Sequence, residues 1–173
     1  MHRGRAAEEV AAVWNRAPHD KQIARPHHWN DMTLVDRANG VWVQGWTKCG
    51  KWWNFGLVYG GEWLPENAAM VPEVTQFIQS QPYSDRLVMV GISALEPGAT
   101  IPPHHDEPME DRLKYWVGQI GIIGEGTLRV GSAEHVVRPG VEVWFRDADE
   151  HTVLPVTSLR AVLYIKYLDE GSM

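Results

Sequence analysis

A chain of 173 residues with 44% hydrophobic and 22% charged content has the make-up of one globular domain, long enough to bury a sizeable core. Its formal charge of −6 argues against nucleic acid and anionic membranes as main partners. The single cysteine, Cys49, excludes an intrachain disulfide and fits a reducing compartment. No apolar run approaches the roughly 20 residues of a membrane span, and no apolar run follows Arg3 and Arg5 as it would in a signal peptide, so a soluble, cytoplasmic protein is expected.

Residues 5–16 carry the helix formers Ala and Glu, with Val10, Val13 and Trp14 on one stripe, and Pro18 ends the run. Residues 17–31 are polar and irregular. The pair His27-His28 lies there, but neighbours on an extended chain point oppositely and rarely share an ion, so a solvated loop is expected. The pattern turns to β at Met32. Met32–Val35, Gly40–Thr47 and Trp53–Val58 are short runs rich in Trp, Val, Leu and Thr, and Gly60-Gly61 makes a turn. Pro65–Met70 is expected to be a loop. Val71–Ser80 forms a second helix, with Pro72 in its first turn and Val74, Phe77 and Ile78 on its apolar side.

Strands at Arg86–Leu95, Thr100–Pro102, Lys114–Ile123, Thr127–Val130, His135–Arg138, Glu142–Arg146, His151–Val156 and Leu159–Tyr167 follow, separated by Gly and Pro and with no helix between them. Residues 169–173 should fray. This pattern predicts a mainly β protein, a double-stranded β-helix (jelly roll, cupin-like) with one or two peripheral helices outside. Residues 1–31 form a helical and irregular extension, and residues 32–168 form the β core of the same domain.

One constellation carries chemistry. His104 and Asp106 lie two apart, His151 follows 45 positions after Asp106, and Arg160 follows nine after that. On a strand, a separation of two puts both side chains on one face. Two imidazoles and one carboxylate are the ligands that non-haem Fe(II) oxygenases place on one face of the metal, leaving the other open. His105 then points the other way, to the rim, where it can meet substrate. Arg160 shares a face with Val162, Tyr164 and Lys166, while Leu159, Ala161, Leu163 and Ile165 share the other. A charge inside a barrel needs a partner. The far carboxylate of 2-oxoglutarate would be one, held as a bidentate ion pair. His-x-Asp alone is a weak signal among eight histidines and 22 acids; the spacing to His151 and Arg160 strengthens it.

From Trp52 to Tyr167 the chain resembles the aspartyl/asparaginyl β-hydroxylase family of Fe(II)/2-oxoglutarate-dependent oxygenases. The resemblance rests on Trp52-Trp53-Asn54-Phe55-Gly56-Leu57, Asn67, Ser93-Ala94-Leu95-Glu96-Pro97-Gly98 and Ile101-Pro102-Pro103-His104. It continues through Gly126–Gly131, Gly140, Phe145-Arg146-Asp147-Ala148-Asp149-Glu150-His151 and Leu159-Arg160. It implies that His104 and His151 bind iron, that Arg160 binds the 2-oxoglutarate C5 carboxylate with Ser93 helping, and that Trp52 lies near the substrate cleft. Arg112, Lys114 and Trp116 fall where the family has Arg-x-Arg-x-His, a run implied to contact carboxylates of co-substrate or substrate. The chain departs from the motif in having Lys114 for an arginine and Trp116 for the histidine. Asp106 stands where the animal aspartyl hydroxylases have glycine, so the chain looks more like the subset with a full His-x-Asp…His triad, which includes free-proline hydroxylases.

The expected protein is thus a dioxygenase using Fe(II), 2-oxoglutarate and O2. Succinate and CO2 form as it hydroxylates an amino acid or a residue in a peptide. Asp106 fills the position that a halide would need. Competing readings are a non-catalytic cupin-like module for a metal or small acid, a zinc or manganese enzyme, and an oxygenase acting on a natural product or lipid. Trp42, Trp46, Trp52, Trp53 and Trp63 either pack edge strands or line a cleft. His135 is expected at the surface, and Lys48 and Lys51 beside Cys49 in a solvated turn.

Overall fold

The computed structural model describes residues 1–16, 42–45, 51–106 and 114–172. His27, His28, Met32–Val35, Trp46, Lys48, Cys49 and Arg112 lie outside them. The elements run α1 (Arg3–Arg16), β1 (Val43–Gln44), β2 (Trp52–Tyr59), β3 (Glu62–Trp63), α2 (Pro65–Met70), α3 (Pro72–Gln79), β4 (Leu87–Leu95), β5 (Ile101–His104) and β6 (Tyr115–Ile123). They continue with β7 (Gly126–Val130), β8 (Ala133–Val137), β9 (Glu142–Arg146), β10 (His151–Val153) and β11 (Arg160–Leu168). No helix among the described residues is long and apolar enough to cross a membrane.

The strands form two antiparallel sheets. The larger has seven strands in the order β1-β2-β4-β11-β6-β9, with β3 paired to β2; the smaller runs β5-β10-β7-β8. Of the eight strands from β4 to β11, the first, eighth, third and sixth fall in one sheet and the second, seventh, fourth and fifth in the other. That alternation is the winding of a double-stranded β-helix, as the strand pattern predicts.

Alternation along the strands sorts the side chains into two cores. Inside, Leu95, Val117, Phe145 and Val162 of the large sheet meet Ile101, Leu128 and Val153 of the small one. On the outer face of the large sheet, Phe55, Ile92, Ile120, Leu163 and Ile165 pack against Val10 and Val13 of α1 and Val74 and Ile78 of α3. The β11 parity set follows this division, with Ala161, Leu163 and Ile165 outward and Val162 inward. Trp42 and Trp53 are buried in the outer core and Trp63 packs on it, so these three are packing residues. Trp52 lies on the inner side.

Two local expectations are corrected. Pro65–Met70 is a helix rather than a loop. Pro65 supplies the preset φ of a first helical turn, and that turn carries the buried Asn67 to the Gly56 carbonyl, to which its Nδ2 donates at 2.9 Å. The end of the chain is tied down rather than frayed through residue 170. The Asp169 carboxylate lies 2.8 Å from Arg146 Nη1, and Glu170 lies 3.3 Å from Arg86.

Helix α3 begins at Val71-Pro72 without a side-chain cap of its own. The cap comes from α1. The Glu9 carboxylate accepts from the Glu73 amide at 2.8 Å and from the Val74 amide at 3.4 Å. A negative charge on the free amides of a helix start is favourable through both hydrogen bonding and the helix dipole. Glu9→Ala should therefore cost about 1 kcal/mol in urea unfolding. An unchanged midpoint would show that the cap does not hold α1 to α3.

Candidate metal centre

Pairing between β5 and β10 sets the two histidines face to face. His104 and His151 are register partners, and their rings lie 4.2 Å apart between centroids. Each ring is pinned by a backbone carbonyl two residues earlier. His104 Nδ1 is 2.8 Å from the Pro102 carbonyl, and His151 Nδ1 is 2.8 Å from the Asp149 carbonyl. A carbonyl only accepts, so each Nδ1 carries the proton and each Nε2 keeps its lone pair. This is the outer hydrogen bond that orients a metal-ligating histidine.

Asp106 completes the group, by a route other than strand parity. β5 ends at His104, and Asp106 lies beyond it. Its amide donates to the Asp147 carbonyl at 3.0 Å, which turns the carboxylate back toward the rings. Its Oδ1 is 4.0 Å from His104 Nε2, and its Oδ2 is 4.0 Å from His151 Nε2. The three ligand atoms all lie within 4.8 Å of one another. Ligand atoms held by bonds of about 2.1 Å stand about 3 to 4 Å apart, so an ion fits after a small closure. Asp106 and His104 are half-buried and His151 is buried. Burial lowers the His151 pKa and the neighbouring His104 imidazole acts the same way, outweighing the Asp149 carbonyl and the two aspartates. The imidazole therefore stays neutral, as a metal ligand must.

His105 is exposed at the rim. Trp52 and Ser93 meet on the inner face, where Trp52 Nε1 donates to Ser93 Oγ at 2.8 Å. Trp116 is turned away. It shares its parity with Gly118 and with Ile120 of the outer core, and Arg146 lies 3.7 Å over its ring. It also pairs with Tyr167, seven residues along β11 from Arg160 and thus about 23 Å away. Lys114 is exposed just before the same end of β6. The parity of β6 thus turns Trp116 off the inner face, and Lys114, which precedes the strand, is well separated along the sheet from the Arg160 main chain.

Arg160 is buried, with 1% of its surface exposed. Its Nη2 donates to Gln119 Oε1 at 2.7 Å, and its Nε has no hydrogen-bond partner. No carboxylate among the described residues pairs with it. Burial lowers its pKa to about 10, so it stays cationic at neutral pH. Gln119 is the β6 partner of Tyr164, four residues along β11, so the guanidinium points along the barrel toward the Tyr115 end of β6. The Tyr115 carbonyl accepts from the amide of Asp147, the residue that holds Asp106. The space it uses exists because position 126 is glycine; a Cβ there would stand 2.7 Å from Arg160 Cδ.

Sequence reasoning left one pair unassigned. Lys166 shares the inward face of Arg160, and its Nζ lies 3.2 Å from Asp147 Oδ2, an ion-pair separation off hydrogen-bond alignment. The ammonium also sits 4.7 Å from the Tyr115 ring centre. Both partners are buried, at 7% and 3% exposure. A lysine at inward parity requires an acid nearby, and that was the available signal.

The family model described as Aspartyl/Asparaginyl beta-hydroxylase matches residues 5–169. The chain is 27% identical over 154 residues to uncharacterized protein L888 of Acanthamoeba polyphaga mimivirus, a match covering 84% of this chain and 55% of that protein. The chain thus spans about half the length of the curated relative it matches. Among solved structures, it is similar to KdgF from Halomonas sp., with a TM-score of 0.47 and 13% identity over 76% of this chain and 89% of that one. It is similar also to a predicted oxalate decarboxylase from Thermotoga maritima, with a TM-score of 0.45 and 12% identity over 68% and 81% of the two chains.

Two outcomes follow from this geometry. His104→Ala and Asp106→Ala should each weaken Mn(II) binding by about 100-fold or more in calorimetry, since each removes a ligand whose orientation the backbone has fixed. Unchanged affinity in either would remove that residue from the site. Lys166→Met leaves the Asp147 charge buried and alone and should destabilise the fold by about 3–5 kcal/mol, while adding Asp147→Leu should restore most of it. A loss below about 1 kcal/mol for the single variant would mean that water already reaches the pair.

Proposed function

The chain belongs to the aspartyl/asparaginyl beta-hydroxylase family, and from that premise we propose that it is an Fe(II)- and 2-oxoglutarate-dependent dioxygenase hydroxylating a C–H bond of an amino acid or of a residue in a peptide. The observation that carries this reading is Arg160. A fully buried cation with an unpartnered Nε is costly by itself, and it lies in the same barrel as the His-Asp-His group. A module that only held a metal, or a zinc or manganese enzyme without an acidic co-substrate, would leave that charge unexplained.

The residues fit the reading part by part. His104 and His151 present Nε2 lone pairs, Asp106 adds one negative charge, and the donor set suits Fe(II). When bound, Fe(II) with 2-oxoglutarate and O2 supplies the oxidation of an unactivated C–H bond, releasing succinate and CO2. The chain's own part is to bind, aim and keep water out. Arg160 offers Nε and its second edge to the far carboxylate, while Gln119 holds the fork in plane. Ser93 pairs with Val162, two residues along β11 from Arg160 on the same inward face. Its Oγ accepts from Trp52, so its own O–H remains to donate to the same carboxylate. Phe145 packs on the His151 ring at 4.7 Å and shields it from the inner side.

Succinate should form from 2-oxoglutarate only with Fe(II) present. Arg160→Met should raise the 2-oxoglutarate KM by about 100-fold, the loss of a charge-assisted bidentate contact, and Arg160→Lys should recover only part of it. An unchanged KM in Arg160→Met would break the link between the buried cation and the co-substrate.

A further inference from the structure

Among the described residues the large sheet has seven strands and the small one four, so part of its inner face has no described strand opposite. A cavity of about 40 Å³ lies on that face. Its wall runs from Asn54 across Gly56 and Gly91 to Tyr164, with Leu64 and Met89 beside them. The register explains the opening. Gly56 faces Gly91 on β4, and Gly91 faces Tyr164 on β11. Two neighbouring positions without a Cβ leave a trough where other residues would stand side chains.

Tyr164 joins this trough to the metal end. Lys166, next on the same face, holds the Asp147 carboxylate, and the Asp147 carbonyl holds the Asp106 amide. Burial raises the Tyr164 pKa well above its usual value, and the charges of Asp106 and Asp147 act in the same direction.

The lining decides what can enter. Among the described residues that line it none carries a charge, so a buried carboxylate or ammonium finds no counter-ion among them. The Asn54 carboxamide and the Tyr164 hydroxyl have no hydrogen-bond partner among the described residues and can serve one polar atom of a ligand. A water-sized occupant needs about 10–15 Å³, so this space takes a group of about three or four heavy atoms. Building on the oxygenase reading above, we propose that this cavity seats the substrate's side chain, and that the substrate carries a short, uncharged, mainly aliphatic group of valine size rather than a carboxylate.

The test separates this inference from the reading beneath it. N-acetyl-valine methylamide and N-acetyl-aspartate methylamide are titrated by NMR into protein loaded with Mn(II)-free 2-oxoglutarate mimic N-oxalylglycine and a diamagnetic Zn(II) ion. The valine probe should bind at least about tenfold more tightly. Met89→Phe, which fills the trough from β4, should weaken valine binding about tenfold, and Leu64→Ala, which widens it, should shift preference to the leucine analogue. Equal binding of the two probes, no binding of valine, or a Met89→Phe variant that binds valine as the parent does would overturn the cavity assignment. Anaerobic Fe(II) plus 2-oxoglutarate, with no substrate present, tests the underlying reading alone through its visible charge-transfer band. A band without valine preference sinks only the cavity assignment. Absence of the band sinks the oxygenase reading while leaving the probe titration to be judged by itself.

Discussion

Two imidazoles stand opposite each other because β5 and β10 pair at His104 and His151. Everything proposed for this protein depends on that register. A slip of one residue would send one ring to the other face of the small sheet and scatter the ligands. The carbonyls of Pro102 and Asp149 then fix which nitrogen is free. The carboxylate of Asp106 arrives from the loop beyond β5 and is held by a main-chain bond to Asp147. The site is thus made by backbone bonds, with side chains carrying only the ligand atoms.

The large sheet supplies the charges that face this site. Along β11 the inward positions are Arg160, Val162, Tyr164 and Lys166, and each polar member has a distinct environment. Lys166 is neutralised by Asp147. Burial keeps Tyr164 a neutral phenol, and the charges of Asp106 and Asp147 act in the same direction. Arg160 alone has a neutral partner, Gln119, and a free Nε. Placing three polar groups on an inward face weakens the apolar core there, and the outer layer offsets this. Ala161, Leu163 and Ile165 on the reverse of the same strand pack beneath α1 and α3. The helices therefore stabilise the back of the sheet whose front carries Arg160, Tyr164 and Lys166.

Much of this was legible in the residues. Short strands broken by Gly and Pro indicate the jelly roll, and the alternation on β11 separates Arg160 from Leu163 without coordinates. Alternation sorts the inward and outward residues of β11 correctly. It misplaced the route of Asp106, because β5 stops at His104 and a loop bond does the rest. On β6 the same alternation turns Trp116 outward, on the side of Gly118 and Ile120. The Lys166–Asp147 pair and the Gln119 contact to Arg160 join residues 19 and 41 positions apart. Such contacts depend on which strands become neighbours, and local pattern does not carry that information.

The central claim is that one ion and one dicarboxylate share the barrel interior. A crystal structure grown with Mn(II) and N-oxalylglycine tests it most directly. The expected result has the metal on both Nε2 atoms and the Asp106 carboxylate, with the far carboxylate of the ligand on the Arg160 guanidinium. A metal bound through Nδ1, or a ligand that leaves Arg160 paired with Gln119 alone, would contradict it.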